Sequence, residues 1–435
     1  MIFGFGSKKK IFGIGLDGFP HSLATRLMEE GHMPNLQRLA AEGTFREINS
    51  VYPTVSNVAW GCWQTGVSPA ELGVFGFVEL DSDLSLRIPN ARDMKATTIW
   101  EKMTKKKRPI VSLSVPMTWP APEVEGLLVS GFLAPKLDER AVSSPEVLRK
   151  LRWTMYEIDT DPALAHQSLD DFQEAHEQVS TRRQTTALEL MESEEWDLFF
   201  VHVMDTDRIN HFMWEYQHEP ESPRGRYFHE FYEQIDDFIG RVAEKLDDDT
   251  ELLIHSDHGF CDLKWEVQLN RWLREQGYLE LEDEIDPRNP FQSIKPDSRA
   301  FSLVPGRIYI LTKNRWETGQ VSDVQYEGLR EEIAGKLESF AHPEFGESVC
   351  RKIMTREEAF KGRYSHLAPD LLVDPQNGYD LKAKLGDGPV FERGVLNGMH
   401  TYDDAMLVAS EGLENTAKSE NVREIGANLA RYLVG

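Results

Sequence analysis

Short, largely apolar runs without strict alternation recur along the first two thirds of the chain, at residues 11–16, 109–115, 126–130, 198–203 and 252–255. A strand that faces water on one side alternates apolar with polar residues, whereas a strand covered on both sides does not. These runs therefore predict strands of a mostly parallel sheet. Between them, residues 98–106, 169–192 and 228–246 place apolar residues three and four apart, the period of a helix with one buried face. Strands alternating with helices predict an α/β fold with a mostly parallel central sheet and helices on both faces. The rhythm changes between residues 265 and 390, where proline, asparagine and charge cluster at 283–297 and one strand-like run stands at 307–311. We read residues 1–264 and 391–435 as the core and residues 265–390 as an inserted, cap-like unit. The chain closes with a strand at 405–409 and a helix at 422–433, without internal repeats.

The chemistry-bearing residues fall where these strands end. Gly13-Ile14-Gly15-Leu16-Asp17-Gly18 follows the first strand and matches the spacing of a dinucleotide-binding loop. An acidic side chain between those glycines would meet a pyrophosphate with like charge, so the segment reads better as a strand delivering Asp17 to the carboxyl edge of the sheet. Taken alone, Asp17 would be a helix cap. Pro53-Thr54-Val55-Ser56-Asn57 leads into a short helix, where a hydroxyl beside unpaired N–H groups can attack phosphorus. Ser56 is the preferred nucleophile and Thr54 the second candidate, against the plainer role of capping the helix. Cys62 lacks the surroundings of a reactive thiol and reads as core.

Asp207 and His211 lie four residues apart after the strand at 198–203, so one helical turn presents both to the same ion. His202 and Asp205 are alternative ligands or supports, and Arg208 pairs with a carboxylate or a phosphate. Ser256-Asp257-His258-Gly259 ends the next strand in adjacent carboxylate and imidazole, with a glycine that permits an unusual turn. Gly398-Met399-His400 adds a histidine on a late loop, and His255 reads as a core support. Mixed imidazole and carboxylate donors suit Zn²⁺, with Mn²⁺ or Mg²⁺ as alternatives.

Bulk properties narrow the classes. The 435 residues are 40% hydrophobic and 28% charged, ordinary for a globular protein, and the formal net charge is −25. Such an excess of negative charge opposes a nucleic acid or an anionic membrane as partner but admits a small phosphorylated substrate, since bound cations reverse the local sign. Three dispersed cysteines suggest reduced thiols. The N-terminal ten residues lack the pattern of a signal peptide and no run reaches the length of a membrane span, so the expected location is the cytoplasm.

Taken together, Gly15-Leu16-Asp17-Gly18, Pro53-Thr54-Val55-Ser56, Thr206-Asp207-Arg208 with His211, Ser256-Asp257-His258-Gly259 and Gly398-Met399-His400 resemble the alkaline phosphatase superfamily. The likeness is to its type I phosphodiesterase/nucleotide pyrophosphatase branch and the related phosphohydrolase/phosphomutases. Lesser echoes are Gly306-Arg307-Ile308-Tyr309-Ile310 and Ala368-Pro369-Asp370-Leu371-Leu372. The resemblance implies two divalent ions about 4 Å apart, one held by Asp207, His211 and His400, the other by Asp17, Asp257 and His258 with the Ser56 oxygen. It implies a phosphodiesterase or phosphatase that works through a phosphoserine. A phosphomutase or phospho-group transferase on the same site is the alternative, and a metal-bound binding protein without turnover the weaker one. The asparagine that helps bind phosphate in the pyrophosphatase branch has no counterpart in Leu72-Gly73-Val74-Phe75-Gly76-Phe77, and no arginine is assigned to a monoester dianion, which tilts the expectation towards diesters.

Overall fold

Each apolar run forms a strand of one sheet, as expected where both faces are covered. The computed structural model describes residues 9–435; residues 1–8, which carry most of the N-terminal segment read for a leader, lie outside the described residues. Two compact units divide the chain: Met1–Val67, Asn90–Phe260 and His400–Gly435 form the first, Ser68–Pro89 and Cys261–Met399 the second. The segment Ser68–Pro89, assigned by sequence to the core, thus groups with the residues read as an insertion.

The first unit is built on a seven-stranded sheet. Its strands are β1 (Lys10–Leu16), β2 (Thr44–Ile48), β3 (Ile110–Val115), β4 (Gly126–Ser130), β5 (Leu198–Val203), β6 (Thr250–His255) and β7 (Ala405–Ala409). They run in the order β2-β7-β6-β1-β5-β3-β4. Neighbours from β6 to β4 are parallel, and β7 is antiparallel to both β6 and β2. The fold is the mostly parallel α/β sheet flanked by helices that the hydrophobic pattern predicts.

The helices that matter here are α1 (His21–Glu29), α2 (Pro34–Glu42), α3 (Ser56–Thr65), α4 (Ile99–Lys105), α5 (Leu169–Ser193), α6 (Asp205–Met213), α7 (Pro223–Lys245) and α8 (Val422–Val434). α8 packs on α3 and α4, and α7 packs on α2 and α5. Local chemistry sets their starts. Thr98 and Glu101 form a reciprocal capping box on α4, and the Ser168 and Ser222 hydroxyls cap α5 and α7, the latter with Pro223 in the first turn. Below the carboxyl ends of β1, β5 and β6, Trp60, Trp63 and Trp100 are fully buried with Phe200 and His255. Ring centroids stand 4.1 Å apart for Trp63–Phe200 and 5.1 Å for Trp60–His255. Loss of any one of these large rings to alanine costs about 3–5 kcal/mol, so the floor beneath the strand ends is stiff.

The second unit has its own core, a two-stranded pair of Glu79–Leu80 with Leu86–Arg87, and two larger sheets. One is antiparallel, in the order Ala300–Leu303, Arg307–Ile310, Leu371–Pro375, Cys350–Thr355. The two lesser echoes of the sequence pair with each other there: Ile308 faces Leu371, and Asp370 accepts hydrogen bonds from the Ile310 N–H at 2.7 Å and the Tyr326 hydroxyl at 2.7 Å. Among the described residues, no helix is long and apolar enough to cross a membrane.

Candidate active site

β5, β1 and β6 are neighbours whose ends coincide, with Leu16 beside Val203 and Gly15 beside His255. Residues just past these ends therefore meet at one edge, the usual ligand edge of a parallel sheet. Asp17 is the first residue past β1, and its N–H donates to the Val203 carbonyl at 3.0 Å. Gly18 then takes φ +58°, a left-handed turn that turns its N–H towards Asp257 Oδ1 at 3.1 Å. Asp17 caps nothing: α1 starts after Pro20 without a side-chain cap. A Cβ on Gly15 would lie 2.4 Å from the Trp60 ring, so this glycine admits an aromatic floor and the likeness to a dinucleotide loop has a packing origin.

Val55 is extended and Ser56 is the first residue of α3. The buried Ser56 Oγ donates to Asp17 Oδ1 at 3.1 Å and lies 3.4 Å from His258 Nε2. The Thr54 hydroxyl instead donates to the Val51 carbonyl at 3.2 Å. Of the two candidate hydroxyls, the structure brings Ser56 to the carboxylates.

The remaining ligand candidates assemble around them. On α6, His211 Nε2 is 3.4 Å from Asp207 Oδ1, and His400 Nε2 reaches the same oxygen at 3.1 Å. The two imidazole nitrogens stand 2.9 Å apart. His258 Nε2 lies 3.5 Å from Asp17 Oδ1 and 3.4 Å from Asp257 Oδ2. Its Nδ1–H donates to the Gly259 carbonyl at 3.1 Å, which leaves the lone pair on Nε2. The His258 ring stacks on His400 at 3.8 Å. Two donor sets result, Asp17 with Asp257 and His258, and Asp207 with His258 and His400, each with ligand atoms within 4.8 Å of one another. His258 belongs to both.

His202 and Arg208, named from the sequence, are joined by supports that had no local mark there. Asp17 Oδ2 takes the Trp60 Nε1–H at 2.8 Å and His202 Nε2 at 2.8 Å, leaving Oδ1 for Ser56 and His258. Trp60 lies four residues after Ser56, so helical spacing alone could have placed both on one face. The Thr206 hydroxyl donates to the Asp17 carbonyl at 2.6 Å and the Asn210 amide to the Gly18 carbonyl at 2.8 Å. Arg208 donates from Nε to Asp159 Oδ1 at 3.1 Å and from Nη2 to Asp159 Oδ2, and its Nη1 lies 3.3 Å from Asp207. Asp159 lies far upstream and nothing around it marks it. Asp205 pairs with Arg183 at 3.2 Å, and so, like His202, it stands behind the cluster. His255 sits among the aromatic rings and Cys62 is buried with its thiol pushed up by burial, as a core residue should be.

Burial and mutual charge set the electrostatics of the cluster. Burial and the neighbouring Asp207 push Asp17 up to about 8, and burial with Asp17 drives Asp257 well above the usual carboxylate range. Burial acts on Asp207 in the same sense, but His211, His400 and Arg208 outweigh it and hold that carboxyl below its ordinary value. Burial and His400 keep His258 neutral. Asp257 Oδ2 is buried without a hydrogen-bond partner. Buried carboxylates with raised affinity for a proton, an orphaned oxygen and neutral imidazoles fit divalent cations: a metal supplies the positive charge that protons otherwise must.

A pH dependence follows for metal-free protein. Asp17 and Asp257 bind protons more tightly folded than unfolded, so they stabilise the fold at low pH and that contribution is lost as pH rises towards their folded values. The depressed His202, His255 and His258 act oppositely, but only below the unfolded histidine value of about 6.5. Chelated protein should therefore lose stability between about pH 6.5 and 8, measured as a falling urea midpoint; a midpoint that rises across this interval would refute the charge balance.

Comparison with known proteins agrees with this fold. Residues 11–403 match the family model for type I phosphodiesterase/nucleotide pyrophosphatase. No curated protein sequence matches the chain. Among solved structures, phosphonoacetate hydrolase from Sinorhizobium meliloti 1021, in complex with phosphonoacetate, superposes with a TM-score of 0.63 at 14% identity over 98% of this chain and 96% of its own. Murine ectonucleotide pyrophosphatase/phosphodiesterase 5, in an inactive form in complex with AMP, superposes at 0.56 with 13% identity over 98% and 95%. At such identities these likenesses concern the fold. The family match spans nearly all of the described sequence, from β1 to just past His400, which stands in the strand Gly398–Thr401 rather than on the loop expected from sequence, and the chain accordingly belongs to the type I phosphodiesterase/nucleotide pyrophosphatase family of phosphoester hydrolases, within the alkaline phosphatase superfamily.

Proposed function

We propose that the protein is a divalent-metal-dependent phosphodiesterase whose nucleophile is Ser56. The observation that carries this reading is the buried Ser56 Oγ at 3.1 Å from Asp17 and 3.4 Å from His258, two members of the candidate donor set Asp17, Asp257 and His258. Asp207, His211 and His400 would hold one ion and Asp17, Asp257 and His258 the other; bound there, Zn²⁺, Mn²⁺ or Mg²⁺ would supply Lewis-acid neutralisation of phosphate charge.

The chain's own residues do the rest. Ser56 stands at the amino end of α3, where the positive end of the helix dipole favours a negative phosphoryl group. Its Oγ–H points to Asp17 Oδ1, which fixes the hydroxyl against that carboxylate. The Oγ–P bond forms as the bond to the leaving alcohol breaks, the Ser56 proton passing towards Asp17 Oδ1 while the departing oxygen takes up a proton; water then cleaves the phosphoserine, its hydroxyl going to phosphorus and its proton back to Oγ, to release a phosphate monoester. Asp17 is held against rotation by Trp60 and His202 on its other oxygen, which keeps Oδ1 aimed at Ser56.

A small phosphodiester is the preferred substrate class. A monoester dianion calls for a cation to clamp it, and Arg208, beside Asp207, is already committed to Asp159 through two of its nitrogens. The test is metal-loaded protein assayed on aryl phosphate monoesters, diesters and phosphonates beside elemental analysis. Hydrolysis of diesters with two ions per chain is expected; conversion of a substrate to an isomer without release would make the protein a mutase, and bound metal with no turnover would leave a binding protein.

Trp60→Phe tests the support of Asp17. The ring volume stays, but the Nε1–H is lost, and groups that orient metal ligands contribute roughly 10–100-fold to affinity or activity. We expect kcat to fall by about that factor with a folded protein; an unchanged kcat would show that His202 alone orients Asp17.

A further inference from the structure

A second set of donors meets where the turn after α1 faces α7. Glu30 follows the last residue of α1, and Gly31, at φ +85°, reverses the chain so that the His32 N–H returns to the Leu27 carbonyl at 2.8 Å. His229 and Glu233 lie one helical turn apart on α7 and so share a face. Glu30, His32 and His229 each place a ligand atom within 4.8 Å of the other two.

Both imidazoles are preset for metal. The buried His229 directs Nδ1–H to the Gly225 carbonyl at 2.8 Å, which leaves the lone pair on Nε2. His32 Nδ1 lies 2.7 Å from Glu233 Oε1, so its Nδ1–H donates to that carboxylate and the lone pair again falls on Nε2. The two rings stand 4.7 Å apart. A metal-binding histidine ordinarily gives its other N–H to a carbonyl or a carboxylate, and here one ring does each. The turn is also clamped to α7: Asp236 accepts from the Asn35 N–H at 2.9 Å, the Asn35 amide at 3.0 Å and the Leu36 N–H at 2.8 Å. The position of His32 against α7 is therefore set before any ion arrives.

We propose that Glu30, His32 and His229 form a structural site for a borderline divalent cation of the Zn²⁺ type, with Glu233 orienting His32. Two imidazole nitrogens with one carboxylate oxygen match such ions, whereas Ca²⁺ and Mg²⁺ prefer oxygen alone. The site is separate from the catalytic cluster: α1 lies between Asp17 and Glu30, and nine residues of helix span about 13 Å. No hydroxyl nucleophile is among its donors. A bound ion would tie the turn between α1 and α2 to α7.

The test is an anomalous difference map at the zinc edge from crystals of the whole chain soaked at graded Zn²⁺ concentrations. A peak bounded by Glu30, His32 and His229 is expected in the wild type and its loss in His32→Asn, with peaks at the catalytic cluster unchanged. In Glu233→Gln the concentration for half occupancy should rise roughly 10–100-fold. No peak here, whether or not the catalytic cluster is occupied, would overturn the proposal, as would a peak that survives in His32→Asn. A peak here with an empty catalytic cluster would support this site and count against the proposed mechanism instead.

Discussion

Ser56→Ala is expected to lower turnover by on the order of 10³-fold or more while the protein still folds and binds its metals. The Ser56 hydroxyl is the one that donates to Asp17 and faces His258, and alanine removes it without changing the backbone. Little stability should be lost, within about 1 kcal/mol, because Ser56 is inside the helix rather than at its cap and Asp17 keeps its bonds from Trp60 and His202. Rates on an aryl phosphodiester, elemental analysis and urea unfolding together make the check. Thr54→Val, which removes the other hydroxyl of that segment, should leave the rate near wild type. Wild-type turnover in Ser56→Ala would remove this serine from the chemistry.

Asp257→Asn should move two observables in opposite directions. Elemental analysis should find one ion fewer per chain, and turnover should fall by more than about 100-fold, since a ligand itself contributes more than the groups that orient it. Metal-free protein, in contrast, should unfold at higher denaturant than the metal-free wild type at pH 8. Asp257 is fully buried near Asp17, its Oδ2 has no hydrogen-bond partner, and its charged form is disfavoured by burial and by Asp17. An amide removes that charge and can still accept the Gly18 N–H through Oδ1. A purely structural aspartate would give the reverse, a less stable metal-free variant with unchanged metal content.

How much of this was legible in the chain differs from element to element. The strands Gly126–Ser130, Leu198–Val203 and Ala405–Ala409 coincide with apolar runs, because full burial on both faces leaves a continuous hydrophobic signature. The first and third glycines of the G-x-G-x-x-G spacing mislead in isolation: Gly13 and Gly18 approach the rings of Phe200 and Phe260, and no pattern of one segment can announce a ring from another. Asp159, which takes up Arg208, was illegible for the same reason.

The residue types at the strand ends, and the order in which they follow apolar runs, were enough to establish an α/β chain carrying carboxylates, imidazoles and a serine suited to phosphoester chemistry. Local periodicity reports burial and secondary structure, and those depend on neighbours within a few positions. Tertiary structure alone decided that Ser56 rather than Thr54 meets Asp17, that His258 stands within reach of both donor sets, and that Trp60 and His202 hold the far oxygen of Asp17. These contacts cross long stretches of chain, 185 positions between Asp17 and His202 and 202 between Ser56 and His258, and they exist because the sheet order sets β5, β1 and β6 side by side.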